Sequence, residues 1–573
     1  MSERMTVGRY LAHALHSVGV QHLFGVPGDF NLALLDEILA ADAVEWVGAA
    51  NELNAAYAAD ANARMSRRIS ALVTTYGVGE LSAVNGIAGS YAEDVPVVHI
   101  VGMPATPAMA SGAPIHHTFL DGDFGRFVRI GAEITAHHVV LTADHAAEQI
   151  TTAIRAALSL SKPVYIGVPL DVAVAEIDAD GLGGADMAGD GGAPLAHAAD
   201  TSMRAATFRQ MLRTRLAGAS DVVLLVGPLV HRRALEPMIA EIAASSAVRV
   251  ATQIGAKAAL DEGHPASLGT YMGKFTRAAE TAAAVDGADV LIVVGAVNSD
   301  FTTGFASAGF DPEQAIVLDA TTTTASGAVM QLPLEASLAL LRDELAALAP
   351  SVAHASSVRA GSEPEAPLTP VPPADPATPL DQATLWSAIQ GWLDKEVTLI
   401  AEAGTAFYGA LDLDLPAHSD LLGSPVWSSI GYTVPALLGA SLARPDRRSL
   451  LIVGDGSAQL TVQELGTVYA RGLAPVVILI NNGGYTVERL IRSPEALYQD
   501  IAQWRWAEVP SALGAPEGSL SVTARTVGEL DSALVAADEH RDLPVFIEVV
   551  VPPLDAPRLL TALATSISAT NGH

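Results

Sequence analysis

Short runs of consecutive apolar residues recur along the chain, each followed by a stretch with helical spacing, and this alternation constrains the fold more than any other feature. Val222 to Val226, Val290 to Val294 and Val476 to Ile480 contain no polar residue at all. A strand with one wet face alternates polar and apolar residues, whereas a strand that is apolar throughout must be covered on both faces, as in a parallel sheet flanked by crossover helices. The runs are also far shorter than the roughly 20 residues a membrane helix requires. They predict an α/β protein with no membrane span.

The alternation falls into three blocks. In the first, Val7, Tyr10, Leu11, Ala14, Leu15 and Val18 stand at helical spacing, and strand-like runs follow at His22 to Val26, Ala71 to Thr75, Val95 to Val101 and Pro163 to Val168. The segment Gly181 to Gly192, rich in Gly, Ala and Asp, reads as a flexible connection. A second block has strand-like runs near Val222, Val248, Val290 and Ala315, and Ser351 to Pro379 then reads as a long Pro/Ala/Ser linker. The third block repeats the pattern near Val397, Leu450, Val476 and Val545. We expect three doubly wound parallel-sheet α/β domains over 1–180, 203–350 and 381–573, joined by linkers at 181–202 and 351–380.

Charge and cysteine content narrow the function. The chain has 63 acidic against 32 basic residues, a net charge of −31, which is the wrong sign for a nucleic-acid binder. No cysteine is present, so disulfides, thiolate metal sites and cysteine nucleophiles are excluded, and a reducing cytoplasm is the expected compartment. Ser2 to Met5 leads into an amphipathic pattern, with no targeting segment expected.

The chemistry is concentrated after two strands of the third block. Gly454-Asp455-Gly456-Ser457 follows one and Asn481-Asn482-Gly483-Gly484 follows the next. Ligands of open parallel sheets bind beyond the carboxyl ends of the strands, so Asp455 and Asn482 can converge. A carboxylate, an amide oxygen and a backbone carbonyl, with room for waters and phosphate oxygens, make the coordination Mg²⁺ prefers. Gly456 is expected to allow close backbone approach, and Ser457 to open a helix whose N-terminal amides favour a diphosphate. An isolated Gly-Asp-Gly is ordinarily a turn; the paired arrangement is what carries the reading. Gly77-Val78-Gly79 is a poor dinucleotide fingerprint, because Ser82 takes the third glycine position.

These two segments resemble the motif by which thiamine diphosphate enzymes hold their cofactor through Mg²⁺. The resemblance extends over nearly the whole chain. Gly25 to Asp29, Asn51 to Asn54, Tyr76 to Ser82, His116-His117-Thr118 and Gly484 to Glu488 resemble the 2-oxo acid decarboxylase branch, which includes pyruvate, indolepyruvate and branched-chain 2-oxo acid decarboxylases. The resemblance implies that the first block binds the aminopyrimidine, the third the diphosphate, and that the middle block is structural or regulatory. It also implies a cofactor shared between subunits, hence a homodimer as minimal active unit, with homotetramers common among relatives.

Residue by residue, the resemblance makes Glu52 the partner of the pyrimidine nitrogen, and Asp29, His116, His117 and Glu488 the acid/base cluster. Read alone, Glu52 suits the first turn of a helix, Asp29 a helix cap, and Glu488 a partner for Arg489 or Arg492. A second adjacent pair, His137-His138, warns that adjacency alone means little. The cofactor would further contact Thr405, Ser428, Ile430, Asp455, Gly456, Ser457 and Asn482, with Mg²⁺ held by Asp455, Asn482 and the Gly484 carbonyl. Ser428 stands where many relatives have Gly, and Gly483 where Asp is common. Phe301, Phe407 and Val487 would shape the substrate pocket. Phe407, where strict pyruvate enzymes can carry Trp, argues for a longer substrate; Phe301, where some broad-range enzymes carry a small residue, argues the other way. The expectation is therefore non-oxidative decarboxylation of a small-molecule 2-oxo acid to an aldehyde and CO₂ through the cofactor ylid, with broad aliphatic or branched-chain specificity. Pyruvate or indolepyruvate specificity, an acetolactate synthase-like carboligase, and a non-enzymatic homologue are the alternatives.

Overall fold

The three wholly apolar runs are strands, and every apolar residue in them is buried. The computed structural model describes residues 4–178, 198–245, 248–348 and 375–570. Contacts divide the chain into two compact units, Met1–Ala196 and His197–His573.

In the first unit the strands are β1 (Arg4–Thr6), β2 (His22–Gly25), β3 (Glu45–Gly48), β4 (Ser70–Thr75), β5 (Val97–Met103), β6 (His137–Val140), β7 (Val164–Pro169) and β8 (Glu176–Asp178). Six form a parallel sheet in the order β3-β2-β4-β5-β7-β6, and β1 and β8 form a separate antiparallel ribbon. The helix Val7–Ser17 buries Val7, Tyr10, Leu11, Ala14 and Leu15, the face its spacing marks, and Thr6 caps it by accepting from Arg9 N. The helix Glu52–Ser66 is buried from Asn54 through Met65, on all sides, and so shows no amphipathic pattern. Its buried Arg64 is paired with Asp60 at 2.6 Å, which offsets the desolvation of both charges.

The second unit holds two sheets. One contains β9 (Val222–Val226), β10 (Arg249–Thr252), β11 (Ser267–Thr270), β12 (Val290–Val294), β13 (Ile316–Leu318), β14 (Thr323–Ala325) and β15 (Ala328–Met330), in the order β11-β10-β9-β12-β13-β14-β15. The sheet is parallel from β11 to β13, and a hairpin is added at its edge: β14 and β15 are antiparallel, joined by the tight turn at Ser326 and Gly327, both with positive φ. The other contains β16 (Thr398–Ala401), β17 (Asp420–Leu422), β18 (Ser449–Gly454), β19 (Val476–Asn481), β20 (Leu520–Ala524) and β21 (Val545–Val550), all parallel, in the order β17-β16-β18-β19-β21-β20.

The expected connection 181–202 lies mostly outside the described residues, but it ends early: the helix Ala198–Leu216 begins within it. Most of the expected linker 351–380 also lies outside them. Its last residues are anchored, with Pro379 bridged to Thr526 and Leu380 buried. The two sheets of the second unit are tied directly, since Leu415 N donates to Glu262 at 2.9 Å and Arg277 to the Asp412 carbonyl at 2.7 Å.

Candidate active site

Register alone brings Asp455 and Asn482 together. Gly454, at the end of β18, pairs with Ile480 of β19, so the next residues leave adjacent strands at the same carboxyl edge. Asp455 is 1% exposed and begins the helix Asp455–Thr461. Gly456 N donates to its Oδ1 and Gly483 N to its Oδ2, both at 2.8 Å. Burial pushes its carboxyl up to about 6 against these bonds, so the ionised form lacks sufficient compensation from the protein alone.

One end of the Asn482 amide lies 2.8 Å from the Gly484 carbonyl oxygen and 3.1 Å from Asp455 Oδ1, and the other 2.9 Å from Thr486 Oγ1. Thr486 donates its one hydroxyl proton to the Pro553 carbonyl at 2.7 Å. It therefore accepts from Asn482 Nδ2, which turns Oδ1 toward Gly484 and Asp455. The Asn482 amide oxygen then faces the Gly484 carbonyl oxygen at 2.8 Å and Asp455 Oδ1 at 3.1 Å with no hydrogen between. Adjacent ligands of an octahedral ion with bonds of about 2.1 Å stand about 3 Å apart, so this donor set fits a small, oxygen-preferring cation.

The surrounding residues are placed with one correction, at Ser457. Gly456 leaves room for the Tyr485 ring, which would lie 2.7 Å from an added Cβ. Ser457 is the third residue of its helix and does not open it. Thr405 is buried at the start of the helix Thr405–Ala410, behind Gly404 at φ 116°. Val487 stands beside Gly404, 3.5 Å from where a Cβ would be. Ser428 has φ 53°, a backbone reason for glycine at this position, and its N and Oγ both donate to the Ser424 carbonyl at 3.1 Å. Ile430 and Trp427 expose large apolar surfaces.

Glu488 does not pair with Arg489. Its side chain on the helix Thr486–Ile491 is accessible to solvent, yet the protein around the carboxyl desolvates it enough to raise its pKa. Arg489 turns inward and donates to the carbonyls of Gly483 at 3.0 Å, Gln499 at 3.3 Å and Asn482 at 3.4 Å, and to Asp500 at 2.7 Å. It thereby clamps the loop that carries Asn482 and Gly484, a role invisible in the sequence. Glu402 was missed as well: buried, with its carboxyl pushed up to about 7 by desolvation, it accepts from Ala403 N and from Thr433 N and Oγ1, and so braces the chain just after Ile430. Phe301 lies against Phe305 and Tyr408, at centroid distances of 5.4 and 6.4 Å. Phe407 is 5% exposed and packs in the core against Gly423.

In the first unit, His116 Nε2 and Asp29 Oδ2 are 2.8 Å apart. Asp29 does not cap the following helix; Asn31 occupies the cap position and bonds Gly28 N and the Val26 carbonyl. Phe30 stacks on the His116 ring at 5.0 Å and meets the His117 ring edge-on at 5.8 Å, fixing both. His117 has φ 64°, and its carbonyl oxygen would lie 2.1 Å from a Cβ on Gly77. Gly77 N is held in turn by the buried Glu80 at 2.8 Å, whose carboxyl burial pushes up to about 7 and whose other oxygen accepts from Tyr165. Glu52 is the first residue of its helix, capped by Asn51, and its Oε1 lies beside Gly79. His137 and His138 lie on the edge strand β6, away from any such arrangement of carboxylate and aromatic ring.

Models of thiamine pyrophosphate enzyme domains match all three blocks: the N-terminal TPP binding domain over residues 5–121, the central domain over 210–345 and the C-terminal TPP binding domain over 407–549. The alpha-keto-acid decarboxylase of Mycobacterium leprae is 42% identical over 567 residues, spanning 99% of this chain and 96% of the relative. The chain belongs to the thiamine diphosphate-dependent 2-oxo acid decarboxylases. Alpha-keto-acid decarboxylases of Mycobacterium tuberculosis H37Rv and Mycobacterium avium are 42% and 43% identical, each spanning 98% of this chain and 97% of the relative. The fold of this decarboxylase is shared with the thiamine diphosphate-dependent 4-hydroxybenzoylformate decarboxylase of Rhodococcus jostii RHA1, at TM-score 0.74 and 20% identity, covering 96% of this chain and 99% of that one.

Proposed function

We propose that the chain is a Mg²⁺-dependent decarboxylase that converts aliphatic and branched-chain 2-oxo acids to an aldehyde and CO₂, in the cytoplasm. The observation that carries this reading is the Asp29–His116–His117 cluster. A carboligase built on the same domains has no use for two histidines and a carboxylate gathered within 4.8 Å, one pair of them hydrogen-bonded, and a non-enzymatic homologue has no reason to keep them.

Thiamine diphosphate, when bound, supplies a carbanion nucleophile and a sink for the electrons freed as CO₂ departs. Asp455, Asn482 and the Gly484 carbonyl would hold Mg²⁺, the fit resting on the Asn482 amide oxygen that faces the other two. Thr405 and the amide end of the Asp455–Thr461 helix would take the diphosphate. Ile430, with its exposed apolar side chain, would support the cofactor, and the Ser428 carbonyl would accept its amine. Glu52 would hold a proton against the pyrimidine ring nitrogen. His116, held by Asp29, and His117 would give and take protons at the substrate's reacting oxygen and carbon, and Glu488, with its raised carboxyl, would serve as a second acid. Phe301, Val487 and Phe407 bound the pocket, Phe407 from within the core. A homodimer with each cofactor shared between subunits is the minimal arrangement, and a homotetramer a doubling of it.

The test is purified protein with thiamine diphosphate and Mg²⁺, assayed for CO₂ and aldehyde across pyruvate, 2-oxoisovalerate, 2-oxoisocaproate, phenylpyruvate and indolepyruvate. The expected order has the branched acids first. Turnover of none of them would refute the activity, and exclusive turnover of pyruvate would refute the specificity.

A further inference from the structure

Asp29, His116 and His117 each present a ligand atom, and the three atoms lie within 4.8 Å of one another. Among the described residues this is the one such grouping of three metal-binding side chains. Its donors differ in kind from the oxygens around Asp455: two imidazole nitrogens and one carboxylate suit Zn²⁺ and similar transition ions and suit Mg²⁺ poorly. The rings are preorganised. Phe30 stacks on one and abuts the other, and the carbonyl of His117 rests against Gly77. The Nδ1 of His117 is buried with no hydrogen-bond partner, so no bond within the protein occupies this nitrogen. The side chains of His116 and Asp29 are 61% and 48% exposed, which leaves the ion a path and the ligands freedom to close. Ligands of a tetrahedral ion with bonds of about 2.0 Å stand about 3.3 Å apart, within reach of small side-chain rotations here.

We propose that Asp29, His116 and His117 form a second cation site, specific for Zn²⁺ over Mg²⁺, with three protein ligands and the remaining position open to water. Occupation takes the lone pairs of both histidines and displaces the His116–Asp29 hydrogen bond, and thereby switches off proton transfer. The inhibitory half rests on the proposed function; the binding half does not.

The test uses holoenzyme with thiamine diphosphate and saturating Mg²⁺. Zn²⁺ is titrated against a chromophoric chelator while decarboxylation is followed in parallel. The expected result is one Zn²⁺ per chain and loss of activity with the same midpoint, unrelieved by further Mg²⁺. His116→Gln and His117→Gln should each weaken zinc binding by at least about tenfold, the effect of losing even an outer partner of a ligand. Asp29→Asn, a milder change, gives the same readout should the histidine variants fail to fold. The double variant His137→Gln/His138→Gln should leave both binding and inhibition unchanged. Undiminished zinc binding in His116→Gln/His117→Gln, or inhibition reversed by Mg²⁺, would overturn the site. An inactive holoenzyme that still binds zinc through these residues would refute the decarboxylase reading and leave the site standing.

Discussion

Asp455→Asn separates what a carboxylate does for the cofactor from what it does to the metal-free protein. With its carboxyl at about 6 instead of 3.8, ionising Asp455 costs the folded chain about 3 kcal/mol. Between about pH 4 and about pH 6 the folded chain holds a proton that the unfolded chain has released, so this group lowers stability as pH rises, and the whole penalty is present at about pH 7. Asparagine cannot ionise and carries no such penalty, though its amide meets the Gly456 or Gly483 N–H at a constant, pH-independent cost. In EDTA-treated protein, the apparent Tm of Asp455→Asn relative to the parent should therefore rise by a few degrees from about pH 4 to about pH 7. Adding Mg²⁺ with thiamine diphosphate should reverse the order, stabilising the parent alone. Calorimetry at four pH values reads both effects. A Tm difference that is flat with pH would show that Asp455 is not strained in the metal-free state, and the argument for a cation at this oxygen cluster would fall with it.

Other outcomes follow from the same geometry. Glu52→Gln should keep cofactor affinity and lower kcat by at least about 100-fold, the usual scale of a lost proton-transfer group, with cofactor C2 proton exchange slowed in parallel as read by NMR. Arg489→Met removes the bonds to three loop carbonyls and should weaken Mg²⁺-dependent cofactor binding roughly tenfold by fluorescence titration, with Arg489→Lys intermediate. Gly77→Ala places a methyl on the His117 carbonyl at a residue with φ 67°; it should cost at least about 2 kcal/mol of stability and most of the activity, measured by thermal unfolding and turnover. Wild-type behaviour in any of these variants would remove the role given to that residue.

How much of this was legible depended on the kind of information involved. Strand identity in β9, β12 and β19 needs only the local fact that no residue in the run tolerates water. Edge strands such as β3, Glu45-Trp46-Val47-Gly48, are partly exposed and have mixed composition, so periodicity passed them over. The β14–β15 hairpin did leave a signal in Ser326-Gly327, a turn dipeptide between short strand-like runs.

The convergence of Asp455 and Asn482 followed from strand order, because consecutive parallel strands end at the same edge. Arg489, Glu402 and Glu80 could not be found that way. A charged side chain is ordinarily solvated, and only partners brought from elsewhere in the chain make burying it tolerable: three carbonyls for Arg489, Thr433 for Glu402, Gly77 and Tyr165 for Glu80. Residue order sufficed for the layered architecture and the motif positions, since both depend on solubility and chain direction over a few residues. The burial, tautomer and acidity of each working group depended on neighbours distant in sequence, which only the folded chain assembles.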